Sequence, residues 1–171
     1  MYSKLSIIFC WLIGSLFLFN CGGGGSKAEV KISFKNLQFE GKEAEFGTAS
    51  IRTEVKMNID SLLKANKATK IGKAIMGNLS LKIKDKDNFD VLSNVTLQFL
   101  GKDVKSISIA NASTIAKGTK ELKPTVSEKA DVKDFFQKGI FEALIDLNLK
   151  DENSEEKIVI TADFDCTLFL Q

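Results

Sequence analysis

From Val30 to the end of the chain, apolar and polar positions alternate with period two in one segment after another, the mark of half-buried strands. Val30, Ile32 and Phe34 oppose Lys31, Ser33 and Lys35, which predicts a strand over 27–37. Ile51, Thr53, Val55, Met57 and Ile59 oppose Ser50, Arg52, Glu54, Lys56 and Asn58, a strand at about 48–58. Leu79, Leu81 and Ile83 mark another within 75–84. Val95, Leu97 and Phe99 follow. The turn residues Gly101-Lys102-Asp103 then send the chain back through Ile107 and Ile109 as a hairpin. Two long alternating runs finish the chain. Phe141, Ala143, Ile145, Leu147 and Leu149 share one face, and Ile158, Ile160, Ala162, Phe164, Cys166, Leu168 and Leu170 share the other. With the polar stretch 151–156 between them, these two are expected to pair as a terminal hairpin.

The alternation breaks in three places. Asn58 to Ser61 offers helix N-caps before Leu62 to Ala68. Ala130 to Gly139 suits a short helix capped by Asp131 and closed by the glycine. Residues 114–129 are weakly patterned and hold the sole proline, Pro124, so an edge strand is the most that fits. Seven or eight strands, two short helices and no βαβ rhythm predict an all-β fold: an antiparallel immunoglobulin-like β-sandwich, with a barrel as the alternative. No internal repeat is visible, and residues 27–171 read as one domain.

Ahead of that domain, Leu5 to Phe19 carries no charge and follows a single basic residue, Lys4. A basic start and an apolar run of that length form the pattern of a secretory signal peptide. The run is shorter than the roughly 20 residues a helix needs to span a bilayer. Leu18-Phe19-Asn20-Cys21 ends it, and Gly22 to Gly25 follow. With Leu18 three residues before Cys21, the segment resembles the lipobox signal of bacterial lipoproteins; Phe19 and Asn20 stand where small residues are usual. The resemblance covers the first 21 residues. It implies cleavage before Cys21 by the lipoprotein signal peptidase and a diacylglycerol on the Cys21 thiol. It also implies a bacterial envelope location, periplasmic or surface-facing, and Gly22 is compatible with the outer membrane. Residues 1–20 are then the signal and 21–26 a lipidated, glycine-rich tether. Two acyl chains already make anchoring stable, so the body needs no membrane-binding surface of its own.

Composition narrows the chemistry. Removing residues 1–20 from 171 leaves 151, enough for one self-sufficient core. Only Lys4 is lost among the charges, so 24 basic residues become 23 against 22 acidic. That balance gives no support for a nucleic-acid partner. With Cys10 in the leader and Cys21 lipidated, Cys166 has no disulfide partner and reads as a small buried hydrophobe. The chain has no His, which removes Ser-His and Cys-His nucleophiles and the usual zinc sites. No phosphate-loop, dinucleotide or nucleophile-elbow motif is present, and nothing implies a cofactor.

Three features remain as candidate sites. Asp85, Asp87 and Asp90 cluster like a calcium loop, but the EF-hand spacing fails: Phe89 takes the fifth position and Thr96 the twelfth. Glu142 and Asp146 with Asp163 and Asp165 put four carboxylates on one sheet face if the two last strands pair. Lys64, Lys67, Lys70 and Lys73 recur every three residues, a solvated face or a basic ridge for anionic lipid or glycan. The expected function is a non-enzymatic, lipid-anchored interaction or structural module, its partner a protein or a glycan. The alternatives are a carrier whose Phe residues line a site for a small apolar ligand, and a metal-assisted hydrolase using the aspartates.

Overall fold

The structure, a computed structural model, describes residues 28–41, 44–84, 86–151, 153 and 157–171. Eight antiparallel strands and two short helices follow in the order β1 (Ala28–Gly41), β2 (Thr48–Lys56), α1 (Ile59–Ala65), β3 (Ile71–Ile83), β4 (Leu92–Gly101), β5 (Val104–Ala112), β6 (Thr125–Val126), α2 (Lys133–Lys138), β7 (Ile140–Leu149) and β8 (Ile160–Leu170). The all-β, antiparallel expectation holds. The predicted Val95–Ala112 hairpin is present as β4 and β5, joined through the turn at Lys102 and Asp103.

The layout differs from two separate sheets. Hydrogen bonding links all eight strands in the order β3-β8-β1-β2-β7-β4-β5-β6. The sheet curls so that its two ends approach each other, nearer to a barrel than to an immunoglobulin-like sandwich. β1 turns the corner. A bulge falls between Phe34 and Leu37, with Asn36 in the left-handed region at φ 54°. Beyond it Phe39 still pairs with Ile160 of β8, while Glu40 and Gly41 pair with Arg52 and Ile51 of β2. Gly41 is required there, because a Cβ would lie 2.5 Å from the Ser50 carbonyl oxygen. Residues 121–132 close the opposite gap. Leu122 and Leu81 exchange backbone hydrogen bonds of 2.8 and 3.0 Å, the Val132 N–H donates to the Ala74 carbonyl, and β6 pairs with β5.

The last two strands do not form the expected hairpin. β7 lies between β2 and β4, and β8 between β3 and β1, in opposite halves of the sheet. Both apolar faces point inward, so the strands meet across the core rather than edge to edge.

The interior is apolar throughout: among the described residues no buried side chain is polar or charged. At its centre six phenylalanine rings pack together. Phe34 and Phe164 come from one half, Phe99 and Phe141 from the other, and Phe135 and Phe136 from α2. Phe99 alone touches Phe135, Phe136, Phe141 and Phe164, at centroid distances of 4.5–6.3 Å. Such ring pairs add roughly 0.5–1.5 kcal/mol each beyond area burial. α2 docks through this cluster. Its Gly139 C-cap takes φ 72°, as predicted. Asp131, one residue before the N-cap Val132, accepts the N–H of Lys133 and that of Ala74, tying helix to strand instead of capping it in the expected place. α1 is capped as expected, the Asn58 side chain accepting the Ser61 N–H at 3.0 Å.

One turn breaks a local rule. Glu45 and Thr48 exchange both backbone hydrogen bonds around Phe46 and Gly47, whose φ values are 50° and 70°. Two positive φ angles make a type I′ turn, which favours Asn-Gly. Phe46 is strained there and 92 % exposed. Phe46→Asn is therefore expected to stabilise the fold by about 1 kcal/mol. Thermal melting checks it: a rise of roughly 2–4 °C is expected for a chain of this size.

Candidate functional site

Leu18, Phe19, Asn20 and Cys21 lie outside the described residues, as does Asp85. The structure does place the other candidates.

Asp87 and Asp90 sit in the connection between β3 and β4. The Asp90 carboxylate accepts the Gly118 N–H at 2.6 Å, and its own N–H donates to the Asn88 side chain at 2.9 Å. The Phe89 N–H donates to the Thr119 carbonyl, and the Phe89 ring is fully buried. Asp90 thus pins one far-end loop to another. Among the described residues no three His, Cys, Asp or Glu side chains converge on a point where a cation would sit.

The four outward carboxylates of the last two strands do not share a face, because those strands lie in different halves. Each is engaged with its own neighbours. On β8, Asp165 accepts the Ser33 hydroxyl at 2.6 Å, with Lys35 Nζ at 4.0 Å. Asp163 accepts the Asn36 N–H at 2.7 Å, satisfying the amide that the β1 bulge releases from the ladder. On β7, Asp146 accepts from the Ser50 hydroxyl and from Gln98 Nε2, both at 2.6 Å, and so clamps three adjacent strands. Glu142 lies opposite Glu54 in the register, a like-charged pair. Arg52, 3.4 Å from Glu142, and Lys56, beside Glu54, offset the repulsion. This arrangement gives two separate ladders of cross-strand contacts, one on β7 and one on β8.

Cys166 faces inward between β1 and β3 and is fully buried. Burial pushes its thiol up to about 12, from an ordinary value of 9.0, with a minor contribution from Asp131. The thiolate required of a nucleophile or metal ligand is therefore suppressed at neutral pH. Glu121 has its carboxyl held low, first by the Ser80 hydroxyl at 2.6 Å and then by Lys123. It belongs to the seam that closes the sheet.

Six of the Phe residues expected to line a carrier site contact one another directly at the centre of the core. A separate groove of about 480 Å³ runs along β5 and β6, with Ser108, Asn111, Ser113, Thr125 and Ser127 in its lining. Sequence reasoning did not mark it. The density of Ser, Thr and Asn over 106–119 was its only trace.

Two outcomes test these assignments. Asp146→Ala is expected to cost about 1–3 kcal/mol in urea unfolding, with Asp146→Asn recovering part of the loss through its remaining acceptor oxygen. For Cys166 the folded state holds its proton more tightly than the unfolded state. The stability it contributes is complete below about pH 9 and is lost progressively up to about pH 12. At pH 10.5 the loss relative to pH 8 should be about 2 kcal/mol greater than in Cys166→Ala, measured by urea midpoints.

No family model matches the chain, and no curated protein does. Solved structures similar to it include a chain of Desmodium yellow mottle tymovirus, 10 % identical, at a TM-score of 0.30 over 91 % of this chain and 95 % of that one. The empty head of turnip yellow mosaic virus is 14 % identical over 91 % and 88 %. Turnip yellow mosaic virus itself is 15 % identical over 91 % and 87 %, both again at 0.30. Likeness at that level carries no functional argument.

Proposed function

We propose that this chain is a bacterial envelope lipoprotein: an all-β interaction or structural module, without catalytic activity, held at the membrane by lipid on Cys21. One observation carries the reading. An uncharged run from Leu5 to Phe19 ends in Leu18-Phe19-Asn20-Cys21, and a glycine tether follows at once. A leader of that length suits export, and a diacylated thiol beside it gives stable attachment.

The body fits such a role. Its strands bury one apolar face and present hydroxyl and carboxylate ladders on the other, so it needs no lipid around it to satisfy its surface. The described chain begins with Ala28 opposite Leu170, at one end of the sheet. Six residues separate Cys21 from Ala28, a root-mean-square reach of about 15 Å for a glycine-rich chain. That end is accordingly the one held nearest the bilayer, and β1 carries the chain roughly 40 Å towards the other.

Expression of the full chain in a bacterium with a clickable fatty acid tests the reading. The wild type should be acylated, found in the membrane fraction, and have Cys21 as its mature N-terminal residue. Cys21→Ala should lose the label entirely. An equally acylated, membrane-bound Cys21→Ala protein, or a native polypeptide still starting at Met1, would overturn it.

A further inference from the structure

The lysines at the end of the sheet nearest Ala28 form a coherent surface. Lys64 closes α1, Lys67 follows it at φ 52°, and Lys70 and Lys73 lead into β3. The Lys70 N–H donates to the Gln171 carbonyl, and the Gln171 N–H donates back to Lys70. Leu170, the neighbour of Gln171, pairs with both Ala28 and Ile71. Lys73 pairs with Phe169, whose other cross-strand partner is Glu29. Lys138 joins the group from the last turn of α2, since Gln137 accepts the Ile71 N–H. All five ammonium-bearing residues are exposed, and none forms an ion pair with another described residue. Besides Asp131, which pairs with Lys133, the carboxylates at this end are Glu29, Asp60, Asp134, Asp103 of the β4–β5 turn and the chain terminus, fewer than the five lysines together with Lys102 and Lys105 of that turn.

We infer that this basic end is a docking surface for anionic phospholipid headgroups, orienting the body with its sheet end against the bilayer. The inference rests on the reading that Cys21 is lipidated. Two independent placements meet here. The tether leaves from this end, and the unpaired lysines gather at it. Attraction between a basic surface and anionic lipid decays within a Debye length, about 8 Å at physiological salt. Lysines at the opposite end, Lys117 and Lys120 among them, are too far from the membrane to share it. A tether about 15 Å long leaves the body free to pivot on a neutral bilayer, and the lysines limit that pivoting on an anionic one.

The test uses the full chain extracted from bacterial membranes and reconstituted into vesicles of phosphatidylcholine, alone or with phosphatidylglycerol. Each lysine's acetylation rate by an amine-reactive ester is then read by mass spectrometry. Lys64, Lys67, Lys70, Lys73 and Lys138 should react about threefold or more slowly on the anionic vesicles, and molar salt should abolish the difference. Lys117 and Lys120, in the loop pinned by Asp90 at the other end, should react equally on both. Equal rates for the five on both vesicles, or protection of Lys117 and Lys120 instead, would overturn the docking surface. Failure to float with phosphatidylcholine vesicles would instead overturn the lipid anchor. The basic end is then judged by salt-sensitive flotation with phosphatidylglycerol vesicles, whose absence would overturn it too. Loss of the protection in a Lys64→Gln, Lys67→Asn, Lys70→Gln, Lys73→Gln variant, read at Lys138, supports the same surface; Asn keeps the left-handed position tolerable.

Discussion

The two halves of the sheet are held face to face by rings more than by backbone. Only Glu40–Arg52 and Gly41–Ile51 carry the ladder around the corner at β1. On the other side, the short segment 121–132 bridges the gap. What fills the space between is Phe99 against Phe164, with α2 pressing Phe135 and Phe136 into the same cluster. Removing a fully buried Phe typically costs 3–5 kcal/mol, a large fraction of the 5–15 kcal/mol by which a domain is stable. The strands set where each ring can point, and the rings decide that the halves close at all. With no disulfide and no buried polar side chain among the described residues, the halves are joined by one continuous apolar cluster with these rings at its centre.

Faces were legible in the sequence and neighbours were not. Alternation identified the inward residues of β2, β4, β7 and β8 because burial of one face imposes period two whatever the partner. Partners depend on edges, which carry no periodic signal. β7 and β8 were expected to pair because they are adjacent in the chain. Yet ten residues separate Leu149 from Ile160, whereas hairpin loops usually run to 2–5. That length was the available clue that the two strands do not pair. The β1 boundary was missed for a different reason. Its inward positions change phase from Ile32 and Phe34 to Leu37 and Phe39, which read as the end of a strand. Asn36, a residue that tolerates the left-handed region, lets the strand bulge and continue.

The candidate sites show the same limit. Composition identified the carboxylates, but only topology could say whether they converge. Glu142 and Asp146 went with β7, Asp163 and Asp165 with β8, and each found a hydroxyl, an amide or a cation one strand away. Outward carboxylates beside Ser and Gln on neighbouring strands solve a local problem. They give a solvated face cross-strand partners without adding apolar surface. The chemistry that four acids on one face would have offered disappears once the strands separate.

On the proposed reading, division of labour between the ends of the body follows from the same geometry. An acylated cysteine supplies attachment strength by itself, so lysines beside it are not needed to hold the protein down. What a lipid chain on a glycine tether cannot supply is orientation, because a point attachment resists neither tilt nor rotation. Charges spread over α1, the start of β3 and the end of α2 act at a distance from that point. Each therefore exerts a lever arm that a charge in the tether would lack. The long strands then turn a weak interfacial preference into a defined position for the opposite end, where Phe46 and the loop pinned by Asp90 face away from the bilayer. A body that is stiff along its strands is what makes orientation at one end matter at the other.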